Sequence, residues 1–178
     1  MKNLKTTIAM LAITSIAIFF SCKKTTTPDP APSSGGSVTA TIGTLTFQSS
    51  TATITKPTGT LNTISIIGIQ ANGSNISIQI TGYTPSVGTY KLYDTGPNAN
   101  YTAYALYGAI PVGTTQKNYT SIGCDVSLPR AGFVPSGTVT FTEVSATKVA
   151  GNFQFNGAEL NSCADVKLIT AGSFTRTF

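Results

Sequence analysis

The chain has 178 residues, of which 11 are Lys or Arg, six are Asp or Glu and none is His, so its net charge at neutral pH is +5. Charged residues make up only 10% of the chain and the basic ones are scattered, so no positive stripe indicates nucleic-acid binding. Without histidine, the chain can build neither a Ser-His-Asp nor a Cys-His catalytic site, and it lacks the most common metal ligand.

The first 21 residues have the pattern of an export signal. A short cationic start with Lys2 and Lys5 is followed by residues 8–20, which carry no charge. In a helix, these residues would span about 20 Å, which is short of the ~30 Å hydrocarbon core of a bilayer. We therefore predict a signal peptide over residues 1–21, cleaved after Ser21, rather than a membrane-spanning helix.

Cys22 stands directly after this apolar segment and is followed by Lys23 and Lys24. The sequence FFSC at positions 19–22 resembles the lipobox of bacterial lipoproteins, although Phe19 stands where leucine is usual, and SCKK is similar to the start of Bacteroidota-type outer-membrane lipoproteins. The resemblance implies that Cys22 is lipidated and anchors the protein to the outer membrane, facing the periplasm or the cell surface. Several acyl chains make such an anchor stable. The alternative is an ordinary secretory signal with an unmodified Cys22.

The composition changes twice after the signal. Residues 22–36 are rich in Pro, Thr and Ser without an apolar run, which predicts an extended tether behind the lipidated cysteine. Residues 37–178 then read as one domain, long enough for a core of its own. Cleavage would remove Lys2 and Lys5 from the 11 basic residues, so nine basic and six acidic residues would leave a charge of about +3.

Period-two alternation of apolar residues predicts β-strands throughout this domain. Val38, Ala40 and Ile42 share one face, and Ile76, Ile78 and Ile80 follow an Asn-Gly hairpin signal at positions 72–73. In LNTISIIGIQ the alternation changes phase between Ile66 and Ile67, which suggests a bulge or a strand buried on both faces. No stretch of a dozen residues has helical periodicity. The pattern predicts eight to ten antiparallel strands in a β-sandwich or a small β-barrel.

Three segments look like an uncharacterised all-β domain family of Bacteroidota lipoproteins. They are VGTYKLY at positions 87–93, the segment 136–157 that begins SGTVTF, and VKLITAGSFTRTF at positions 166–178. GNFQF at positions 151–155 and Ala171, where asparagine is usual, depart from the family pattern. No activity is established for that family, so the resemblance implies no catalytic residue.

If Cys22 is acylated, Cys124 and Cys163 remain as an even pair in an oxidising compartment. They could form a disulfide that closes a long loop and stabilises the domain, or they could be two separate buried thiols. Two cysteines without histidine do not make a zinc site, so we expect neither a metal nor a cofactor.

All seven tyrosines lie between Tyr83 and Tyr119. In YTAYALY, alternation places Tyr101 and Tyr107 on one face with two alanines between them, and Tyr104 on the opposite face. Such rings could stack on a sugar or hold a protein partner, or they could cap the core with their hydroxyls in water. The predicted binding surface consists of Tyr90, Tyr93, Tyr101, Tyr104 and Tyr107.

The remaining enzymatic alternative is a hydrolase that uses two carboxylates, but the sequence places no two of them on one face of one strand. The candidates are Asp94, Asp125, Glu143, Glu159 and Asp165. We expect a non-catalytic, lipid-anchored binding or scaffolding module of the cell envelope, with an envelope protein or a glycan as partner. The alternative is a barrel that carries a small ligand or a carbohydrate. A packed interior favours the first, and an open apolar cavity of several hundred cubic ångströms favours the second.

Overall fold

The computed structural model describes residues 35–56, 62–83, 86–93, 100–111, 113, 115–123, 133–160 and 165–178. Within these ranges all regular structure is β-strand, so the all-β prediction is confirmed. The predicted signal peptide, Cys22 and the pair Cys124 and Cys163 lie outside the described residues. In the described part of the chain, no helix is long and apolar enough to cross a bilayer.

Eleven strands are present in the described ranges, against the eight to ten predicted. In chain order they are β1 (Ser37–Ile42), β2 (Leu45–Gln48), β3 (Thr51–Thr55), β4 (Thr63–Ile69), β5 (Asn75–Thr81), β6 (Gly88–Lys91), β7 (Thr102–Ala109), β8 (Lys117–Thr120), β9 (Gly137–Val144), β10 (Lys148–Glu159) and β11 (Val166–Thr177). β8 was not predicted, because Tyr119 is the one apolar residue among its four, so the segment displays no alternation.

The strands form one antiparallel sheet that curls into a half-barrel, in the order β2-β1-β11-β10-β8-β7-β5-β4-β3. β10 is long enough to take two partners along the same edge. Its residues 149–155 pair with β9, and Ala158 and Glu159 pair with β8. β6 then pairs with β9, so these two strands form a side branch of the sheet.

The two ends of this strand order are joined by the chain itself. β2 and β3 are separated only by Ser49 and Ser50, whose N–H groups donate to the carbonyls of Val38 (2.9 Å) and Ile69 (2.8 Å). β1 and β4 also meet across the barrel, where a Cβ on Gly68 would lie 2.6 Å from the Cβ of Val38. Only glycine allows this approach, because a side chain at position 68 would collide with Val38.

Gly68 also explains the phase change in β4. The strand keeps a regular register with both neighbours, and Ile64, Ile66 and Gly68 all face inward. Ile67 and Ile69 point outward, where Ile67 is half-buried and Ile69 exposed, so the strand is neither bulged nor buried on both faces. The predicted bulge was wrong because glycine occupies the inward position at which an apolar side chain was expected.

The core fills the concave side of the sheet. Its largest fully buried side chains are Tyr83, Tyr119, Phe47, Phe141, Phe155, Phe174, Ile54, Ile64, Ile66, Ile76, Ile78 and Ile80. The hairpin predicted at positions 72–73 is confirmed: Gly73 has a φ of 86°, and its N–H donates to the carbonyl of Gln70.

A bulge interrupts β11. Thr39 pairs with Ser173 but Thr41 with Thr170, and the register with β10 shifts at the same place. The extra residue lies around Ala171, which is exposed and has a φ of 47°. A left-handed backbone is unfavourable for alanine and costs glycine nothing, so this position stores strain.

We expect Ala171→Gly to raise the free energy of unfolding by about 0.5–1 kcal/mol, because it relieves the left-handed strain without loss of buried surface. Ala150→Gly is the matched control, since Ala150 lies in a β10 segment without a left-handed residue and should lose a similar amount. Urea unfolding at constant m-value measures both. If the two variants were destabilised equally, the backbone at Ala171 would not be strained.

Candidate functional site

A cleft lies at one open end of the half-barrel. It has a volume of about 770 Å³ and is bounded by the β1–β2 turn, the β4–β5 loop and the adjacent ends of β7, β8 and β11. We call it the end cleft. Its floor consists of the side chains Ile42, Phe47, Tyr107 and Tyr119, which are the last buried layer of the core.

Leu45 is the notable side chain of this cleft. It lies two residues before the buried Phe47 on β2, so both point to the concave side of the sheet. Phe47 is covered, whereas Leu45 lines the end cleft and remains 68% exposed. The concave face thus ends in an apolar wall that is open to solvent.

The walls of the cleft are held by local hydrogen bonds. Ser74 is buried, accepts a hydrogen bond from the N–H of Ile110 (3.1 Å) and donates its own N–H to Oδ1 of Asn72 (2.9 Å). These bonds fix the β4–β5 loop against the end of β7. Gln70, Asn72 and Thr44 supply amide and hydroxyl groups beside the apolar floor.

Tyr107 and Tyr119 pair directly across β7 and β8, with ring centroids 5.9 Å apart and planes at 23°. The Tyr119 hydroxyl donates to Oδ2 of Asp165 (3.0 Å), and Nζ of Lys167 lies 5.6 Å from the Tyr119 ring centroid. Burial, the hydrogen bond to Asp165 and nearby negative charge raise the pKa of Tyr119, and burial raises that of Tyr107. Both rings therefore stay neutral at ordinary pH.

The carboxylates at this end are already paired with lysines. Lys167 Nζ lies 2.7 Å from Asp165 Oδ2, and Lys117 Nζ lies 3.0 Å from Glu159 Oε1. The hydrogen bond from Lys167 is the main cause that lowers the pKa of Asp165, so this group is ionised at neutral pH. Among the other carboxylates proposed for a hydrolase, Glu143 pairs with Lys148 at 2.7 Å, and Asp94 and Asp125 lie outside the described residues.

The five tyrosines of the predicted binding surface lie in separate places. Tyr90 and Tyr101 are half-buried and contact each other edge-on at 4.9 Å, within an aromatic cluster that includes Tyr83 and Phe141. The face of β7 with two alanines and Tyr107 is buried, and Tyr107 reaches the floor of the end cleft.

The other two predicted tyrosines belong to other surfaces. Tyr104 points outward from β7 and donates its hydroxyl to Oε1 of Gln79 on β5. Tyr93 is half-buried beside the outer faces of β9 and β10. The structure therefore brings together only Tyr90 and Tyr101 of the predicted set, and it adds Tyr119 beside Tyr107.

Sequence reasoning missed Leu45, Lys117 and Lys167 as cleft residues. Each follows the inward alternation of its strand toward the open end, so the alternation itself was the available signal. What the sequence could not show is which strand ends meet at the same end of the barrel.

Comparison with known proteins assigns no function to this site, because no protein-family model, curated protein or solved structure matches the chain. Within the described ranges, no group of three or more Cys, Asp or Glu side chains could hold a metal ion.

Tyr83 supplies a test of the aromatic cluster. It is 1% exposed, its ring lies 4.9 Å from Phe141, and its buried hydroxyl has no hydrogen-bond partner in the described structure. Burial and then Tyr90 raise the pKa of Tyr83 to about 12, and the backbone of Ser86 offsets only part of this rise.

We expect Tyr83→Phe to be as stable as the wild type at pH 7 or up to about 1 kcal/mol more stable, because an unpartnered hydroxyl is removed from the core. An unfolded tyrosine loses its proton near pH 10, whereas folded Tyr83 keeps it to about pH 12. The unfolded state thus binds fewer protons in this window, and the free energy of unfolding falls as the pH rises.

Tyr83→Phe should show a shallower alkaline decline between pH 10 and 12 in urea unfolding. Tyr104→Phe is the control, because it removes a hydroxyl with a partner and should lose about 1 kcal/mol at pH 7. A loss of stability in Tyr83→Phe as large as that in Tyr104→Phe would mean that the Tyr83 hydroxyl has a partner after all.

Proposed function

We propose that the protein is a non-catalytic binding module of the cell envelope, anchored to the outer membrane through a lipidated Cys22, and that it holds a small amphipathic molecule in the end cleft. The observation that carries this proposal is Leu45, an apolar side chain on the concave face that the fold leaves open to solvent. A ligand that covers it gains the hydrophobic free energy that the protein alone does not realise.

The size and lining of the end cleft favour a small molecule as its ligand over the flat surface of a partner protein. Its volume of about 770 Å³ lies in the usual range for small-molecule sites, about 300–1,000 Å³. The rest of the concave side is packed, so the ligand is expected at the end of the barrel and not along its axis.

The ligand should be apolar at one end and polar at the other. Leu45 and Phe47 offer an apolar wall, while Thr44, Gln70 and Asn72 offer uncharged donors and acceptors. Lys117 and Lys167 already neutralise carboxylates of their own, so the cleft does not require a charged group on the ligand.

The ion pairs of Lys117 and Lys167 are also the reason that we propose no catalytic activity. Hydrolysis of a glycoside needs one carboxyl group that is protonated and one that is not. The hydrogen bond from Lys167 favours the ionised form of Asp165, so this carboxylate is not suited to donate the proton, and Glu159 already pairs with Lys117 at 3.0 Å.

The anchor can be tested by growing cells with an alkyne-tagged fatty acid. We expect the wild type to take up the label and to remain with the membranes, and Cys22→Ala to lose the label and become soluble after export. Cys124→Ala is the control and should keep the label. Equal labelling of Cys22→Ala and the wild type, or an unlabelled wild type that diffuses freely, would refute the anchor.

The cleft can be tested with the apolar fluorophore N-phenyl-1-naphthylamine. We expect saturable binding and an affinity about tenfold lower in Leu45→Ser, because covering most of a leucine contributes about 1.4 kcal/mol. Ile69→Ser is the matched control: this isoleucine is 41% exposed, but it points outward from β4 and does not line the end cleft. The proposal fails if the fluorophore does not bind, or if the two variants lose the same affinity.

A further inference from the structure

The convex side of the sheet carries a second, chemically different surface. Alternate residues of β10 point outward, and three of them in succession are amides: Asn152, Gln154 and Asn156. Their side chains make no hydrogen bond within the described structure. By contrast, the hydroxyl groups on nearby strands are partly paired, as for Thr89 with Thr140 (2.9 Å) and Thr39 with Ser173 (2.8 Å).

These amides line a groove. Two adjoining clefts of about 510 and 340 Å³ share Thr138 and Gln154, and together they run along the outer face of β10. We call this the amide groove. The threonines of β9 form one wall, the bulged segment 170–172 of β11 forms the other, and Tyr93 lies at one end.

The bulge explains why a convex sheet has a groove here. Ala171 and Gly172 carry at most a methyl group, and the bulge breaks the ladder of side chains that β11 would otherwise present beside Gln154. The strain at Ala171 thus coincides with the only break in register between β10 and β11 that the described residues show.

None of the residues that line the amide groove carries a charge. We infer that this groove binds an uncharged oligosaccharide. Amides and hydroxyls both donate and accept hydrogen bonds, as sugar hydroxyls do, and the half-buried Tyr93 offers a ring for stacking at one end. From Asn152 to Asn156 the amides extend over about 13 Å, the length of a short oligosaccharide.

The chemistry of the amide groove favours an uncharged oligosaccharide over charged polymers and apolar chains. An anionic or cationic polymer would find no opposite charge there. An apolar chain could cover Leu168 at one end, but it would have to desolvate three amides that make no hydrogen bond within the described structure. The amide groove and the end cleft lie on opposite sides of the sheet, so this inference does not depend on the ligand proposed for the end cleft.

The test uses the full-length protein in a detergent that contains no sugar, applied to an array of oligosaccharides. Cello-, manno-, xylo- and malto-oligosaccharides serve as neutral probes, and polygalacturonate and heparin as charged ones. We expect saturable binding to at least one neutral series and an affinity about tenfold lower in Gln154→Ala, the size expected for a lost pair of hydrogen bonds.

Gln48→Ala is the matched control, because Gln48 is also an exposed amide that points outward, from β2, and it does not line the amide groove. It should bind as the wild type does, and thermal melting should show that both variants are folded. The inference is overturned if no neutral probe binds, if a charged polymer binds better, or if the two variants lose the same affinity. Loss of glycan binding in Leu45→Ser but not in Gln154→Ala would assign the sugar to the end cleft instead.

Discussion

The close contact of Val38 with the backbone of Gly68 is the constraint that allows β1 to approach β4. Because Gly68 has no side chain, β1 can lie against β4 across the barrel, and the chain then passes from β2 to β3 through two serines. This arrangement leaves a concave side that the core fills and a convex side that faces solvent. Both candidate sites follow from this arrangement. The end cleft lies where the packed core ends, and the amide groove lies where the bulge in β11 interrupts the row of outward side chains.

Much of this fold could be predicted from alternation alone. The runs that contain Val38 and Ile76 gave the correct strands and the correct inward faces, because each strand has one buried face and a period of two. Alternation failed at positions where contact with a distant strand determines which residue fits. The glycine at 68 looked like a change of phase, although it fills an inward position that β1 occupies. The bulge at Ala171 left no local signal, since asparagine or glycine would be the expected residue for a left-handed backbone.

The candidate sites were predicted less well than the strands, because strand pairing, and not proximity in the sequence, decides which side chains meet. The tyrosines stand close together in the sequence, and this proximity suggested a single surface, but strand pairing distributes them between the aromatic cluster, the end cleft and the outer face. Conversely, Leu45 and Lys167 are far apart in sequence and meet only because β1 pairs with both β2 and β11. The alternating amides of NFQFN were visible in the sequence, but the groove needs the neighbouring bulge to form.

The pairing of β1 with β11 has a consequence for the order in which the domain can fold. Ser37 pairs with Thr175, 138 positions further along the chain, so the central part of the sheet cannot assemble until β11 has been synthesised. Such distant pairings slow folding, because a long loop must close before any contact compensates for the lost entropy. In the export that we propose, this delay would be useful, because an unfolded polypeptide can be threaded through a translocation channel before the sheet forms on the far side.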